Sequence, residues 1–82
     1  MSTTLNLLDH LLCRGRELHK AGFVNEAARI LQRLAKLRSL PAAVAEEVQE
    51  RLGEIRLDHG QFAKARRHFA AAIGWQPGHD GN

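Results

Sequence analysis

Apolar side chains recur at three- and four-residue steps in four separate stretches of the chain, and no stretch shows the two-residue alternation of a half-buried strand. Leu5, Leu8, Leu12, Gly15 and Leu18 fall on one face of a first helix that runs to about Ala21, where Gly22 supplies a stop. Val24, Ala27, Ile30, Leu31, Leu34 and Leu37 form the stripe of a second helix, ended by Ser39-Leu40-Pro41. Proline disfavours a helical residue before it and suits the first turn of the next helix. Val44, Val48, Leu52 and Ile55 mark a third helix that stops at Gly60. Phe62, Ala65, Phe69, Ala72 and Ile73 mark a fourth, closed by Gly74 and Pro77. The spacing predicts an all-α chain. Residues 78–82 are too polar to join a core and read as a flexible tail.

The second pair of helices repeats the first. A shift of 38 residues lays Gly15 on Gly53, Gly22 on Gly60, Ala27 on Ala65 and Arg29 on Arg67, while Val24 meets Phe62 and Leu31 meets Phe69. Small residues fall on small ones and large on large, as two helical hairpins that pack closely in the same way require.

At 82 residues the chain has room for one small domain and no large catalytic core. Its single cysteine, Cys13, leaves no internal disulfide and no second sulfur for a metal cluster or redox pair. A reducing, cytoplasmic setting is the expectation. The first 13 residues hold no Lys or Arg, and Asn6, Asp9 and His10 interrupt their apolar residues, so neither a signal peptide nor a membrane span is read there.

In its second half the sequence carries Leu52-Gly53, Gly60, Phe62, Ala65, Phe69, Ala72 and Pro77, with Gln49 and Arg56 at two positions that are usually aromatic. These residues and spacings resemble the tetratricopeptide repeat (TPR) family. The first half fits through Gly15, Gly22 and Ala27, with Leu18 for the aromatic and Leu31 for the Phe. It departs at Arg14 and Ser39, and the repeat is 38 residues long where the family keeps about 34. The extra residues fall around Ser39 to Ala42. The resemblance implies a domain over 3–77, with repeats of about 3–38 and about 41–75, built as two antiparallel helical hairpins stacked into a short right-handed solenoid. It implies a protein-interaction scaffold or adaptor rather than an enzyme, with the first helix of each hairpin lining a concave groove and the second forming the convex back.

Charge divides along the same line. The third helix has five acids against Arg51 and Arg56, while the second and fourth helices, with Lys36 and Arg38, carry seven bases against Glu26. By the resemblance, Glu47, Glu50, Glu54 and Asp58 face the groove together with Leu12, Arg16, His19 and Lys20. A peptide or partner helix carrying basic residues is the expected ligand. The competing expectation is mutual neutralisation, because the repeat shift sets Arg16 against Glu54 and Lys20 against Asp58, and surface ion pairs contribute little.

The basic second helices offer another reading. Arg29, Arg33 and Lys36 with Lys64, Arg66 and Arg67 form a patch for nucleic acid or an anionic surface, but no aromatic residues are interleaved to stack on bases and no Gly-rich loop is present to cradle phosphate. That reading ranks second. The five histidines are scattered without ligand spacing, and Cys13 beside His10 and Arg14 lacks the rest of a catalytic constellation. No metal, cofactor or catalytic residue is expected. Ile73 and Trp75 leave apolar surface at the end of the fourth helix, which predicts self-association as a homodimer.

Overall fold

The computed structural model describes residues 3–74, with side chains from Leu7 onward. Four helices make up most of the described residues: α1 (Thr3–Ala21), α2 (Val24–Ala35), α3 (Ala42–Asp58) and α4 (Phe62–Ala72). None of them is long and apolar enough to cross a membrane. Helix α1 packs on α2, α2 on α3 and α3 on α4, while α1 reaches α3 along a narrower seam.

The two tight turns have the same construction. Gly22 (φ 92°) and Gly60 (φ 73°) occupy the left-handed region that L side chains avoid. The Gly22 N–H donates to the His19 carbonyl at 3.2 Å and the Phe23 N–H to the Leu18 carbonyl at 2.9 Å. In the second turn the Gly60 N–H donates to Leu57 at 3.0 Å and the Gln61 N–H to Arg56 at 2.8 Å, the same paired closure. The next helix begins at once in both cases, as the Phe23 carbonyl accepts from Ala27 and the Gln61 carbonyl from Ala65.

Packing repeats as well. A Cβ built on Gly15 would lie 3.2 Å from Cδ2 of Leu31, and one built on Gly53 would lie 2.7 Å from the Phe69 ring. In each hairpin the first helix thus accepts, at a glycine, the large side chain that the 38-residue shift pairs. Leu31, Leu34, Val48, Leu52 and Ile55 are fully enclosed between α2 and α3, joined by Ala27, Ala28 and Leu12. Helix α2 stops two residues short of the stripe's last leucine. The Leu37 N–H turns back to the Leu34 carbonyl at 3.1 Å, so Leu37 sits on the exit turn at 49% exposure.

Candidate functional site

The seam between α1 and α3 gathers four of the residues expected to line the groove, Arg16, His19, Glu47 and Glu54. Arg16 grips the Glu47 carboxylate with two donors, Nε to Oε2 and Nη2 to Oε1 at 2.6 Å. Arg51, one turn along α3, donates its Nε to Glu47 Oε2 at 2.9 Å. Two guanidinium groups on one carboxylate hold Glu47 far below the usual carboxylate range, at about 2, chiefly through the Arg16 hydrogen bond. The same bond raises the Arg16 pKa.

Arg51 also reaches His19, with Nη1 at 3.1 Å from Nδ1. A guanidinium only donates, so Nδ1 of His19 accepts and Nε2 carries the ring proton. That nitrogen faces Glu54 Oε1 at 3.9 Å. Arg16, Glu47, Arg51, His19 and Glu54 therefore form a chain of polar links that ties α1 to α3.

The remaining expected groove residues divide. Leu12 does not face a groove: at 5% exposure it belongs to the core, because the stripe it shares with Leu8 and Gly15 turns toward α2. Lys20, Glu50 and Asp58 are exposed. Arg16 does not meet Glu54, nor does Lys20 form an ion pair with Asp58 among the described residues. A shallow hollow of about 410 Å³ runs along α3 and is lined by Ala43, Glu46, Glu47, Glu50, Arg51 and Glu54. Glu46 and Arg51 were absent from the expected groove set. The four-residue step from Glu47 to Arg51 was the available signal for the latter, since such pairs share a helix face.

Elsewhere, Ile73 caps α4 at 74% exposure, and Trp75 lies outside the described residues. Cys13 is exposed and directs its thiol at the Glu17 carboxylate at 3.7 Å. His68 shares a 2.7 Å hydrogen bond with Gln49 Oε1 across α3 and α4, and its pKa is lowered by burial and then by the charge of Arg56. No group of three His, Cys, Asp or Glu side chains among the described residues is arranged to hold a metal ion.

No family model, curated protein or solved structure matches the chain. Glu47 is occupied by two arginines, whereas Glu46, Glu50, Glu54 and Asp58 follow one another at four-residue steps along α3 and make no ion pair with a Lys or Arg among the described residues. Like charges at that spacing repel, and a cationic ligand relieves them.

Proposed function

We propose that the chain is a TPR-like protein-interaction module that receives a basic segment of a partner along the α1–α3 face, and that it is not an enzyme. Two features support the repeat: the shared construction of the turns at Gly22 and Gly60, and the matched packing of Leu31 on Gly15 and Phe69 on Gly53. In this reading the two hairpins stack as a short right-handed solenoid, with α1 and α3 on its concave side. The observation that carries the binding function is the row of carboxylates at Glu46, Glu50, Glu54 and Asp58, left over once Arg16 and Arg51 are satisfied by Glu47. Arg16 and His19 act by fixing α3 beside α1, and Lys20 borders the face.

The test is capture from the native host by the immobilised 82-residue chain, with mass spectrometry of what is retained. Glu50→Lys combined with Glu54→Lys should release the partners, while Arg67→Glu on α4 should keep them. Equal retention by all three proteins would contradict the reading.

A further inference from the structure

A second groove lies on the other side of α1. Arg14 and Leu18 each stand two residues from Arg16, about 200° around the helix, so they face away from the α3 seam. Leu7, Leu11, Arg14 and Leu18 follow at four- and three-residue steps and form one stripe. Opposite them the end of α2 and its exit turn supply Leu37, Arg38 and Leu40 around a hollow of about 310 Å³ that also holds Leu7, Leu8 and Leu11. Further along, Arg14 and Leu18 meet Ile30, Arg33, Arg29 and Glu26 around a hollow of about 290 Å³. Because α1 and α2 are joined by a tight turn and run in opposite directions, the two hollows are successive stretches of one α1–α2 groove.

The floor of this groove is apolar and its walls are cationic. Leu7 is 56% exposed and Leu37 49%, an unusual degree for two large apolar residues beside one hollow. Arg14, Arg29, Arg33 and Arg38 are exposed and make no ion pair among the described residues, and Glu26 is the one acid in the lining of either hollow. Arg29 and Arg33 stand one turn apart and repel.

We propose that this groove receives an amphipathic α-helix of a partner protein whose apolar stripe is flanked by Asp and Glu. A helix satisfies its own backbone and can lay a ridge of side chains between α1 and α2. The stretch from Leu7 to Leu18 is roughly 17 Å long, matching about three turns of such a ligand. Nucleic acid would find no aromatic ring in the lining of either hollow. A second copy lacks the matching helix, because its acidic helix α3 keeps Val48 and Ile55 fully buried.

The experiment titrates the full chain into a fluorescently labelled synthetic helix of about 18 residues, with Leu at three- and four-residue steps and Glu on both flanks. A twin peptide carries Lys for Glu. The acidic helix should bind saturably, and the Lys twin at least about tenfold more weakly. Leu7→Glu with Leu37→Glu, and separately Arg29→Glu with Arg33→Glu, should each weaken binding about tenfold or more, whereas Arg67→Gln on α4 should leave it unchanged. NMR methyl shifts on the wild-type chain should fall on Leu11, Leu18 and Ile30, and this map decides alone if a variant fails to fold.

Four results would overturn the proposal. The acidic helix fails to bind; it binds no better than its twin; its shifts fall along α3; or an oligonucleotide binds tightly and indifferently to Leu7→Glu. A wild-type dimer in sedimentation that Leu7→Glu with Leu37→Glu converts to monomer would assign the groove to a second copy and overturn it as well.

Discussion

At the residue scale the two buried glycines make opposite predictions, although both sit in helices, where alanine is favoured by about 1 kcal/mol. An alanine methyl at Gly15 would press on the flexible end of Leu31, which can give way, so Gly15→Ala should stay within about 0.5 kcal/mol of wild type. At Gly53 the same methyl would enter the rigid Phe69 ring. Gly53→Ala should cost about 1–3 kcal/mol, and Phe69→Leu in the same chain should recover part of that loss by copying the first hairpin. Denaturant unfolding of the three variants measures both effects.

Two titrating residues set the pH dependence. Glu47, lowered to about 2 from an unfolded value near 4.5, adds stability that is complete above the unfolded value and is lost as pH falls toward 2. Arg16 is partly solvent-exposed and the pair is screened, so Glu47→Gln should cost only about 1 kcal/mol at neutral pH. His68 is also lowered, so the fold prefers its neutral ring. Its contribution is complete above the unfolded value of 6.5 and declines as pH drops below that. Between about pH 7.5 and 5.5 the wild type should therefore lose more of its melting temperature than His68→Ile, which copies Ile30 of the first hairpin. Equal losses in thermal melts would show that His68 is not the group responsible.

At the element scale the two glycine-closed helix ends were legible because their signals are local, whereas the end of α2, with no glycine, came two residues before Leu37. Gly22 and Gly60 follow the last residues of their stripes, and only a residue free to take positive φ closes the helix there. Gly22→Ala and Gly60→Ala should each cost about 1 kcal/mol in denaturant unfolding, adding when combined, and Gly60→Asn should cost less than Gly60→Ala.

The side-by-side pairing of α1 and α3 was not legible. A repeat shift pairs residues expected to play the same role, as it pairs Arg16 with Glu54. It does not say which residues lie abreast. Arg16 instead meets Glu47, seven residues earlier, so α3 is displaced along its axis by roughly 10 Å relative to the repeat register. Leu12 was misplaced for a related reason: the outward set and the core stripe of α1 adjoin, and burial at 5% places it on the core side.

At the scale of the whole molecule the described residues form a slab of 41 × 32 × 15 Å. So thin a body cannot enclose every apolar residue, and Leu7, Phe23, Leu37, Phe62 and Ile73 remain at its surface. Among the described residues charge is divided, with Glu46, Glu50 and Asp58 along α3 outside any ion pair and the cations of α2 and α4 likewise. The two proposed surfaces obey this division, one acidic and beside α1, the other basic and apolar between α1 and α2. That two hairpins would form was visible in the periodicity of the sequence. The hollow between Leu7, Leu37 and Leu40 was not, since it depends on how the α2–α3 junction folds back over the start of α1.

The repeat itself, on which the proposed TPR-like module depends, is open to one measurement. In a proton nuclear Overhauser spectrum of the full chain, the Gly15 α-protons should show cross-peaks to the Leu31 methyls, and the Gly53 α-protons should show them to the Phe69 ring. Both sets present would establish that the two hairpins pack alike at positions 38 residues apart. One set without the other, or neither, would contradict it.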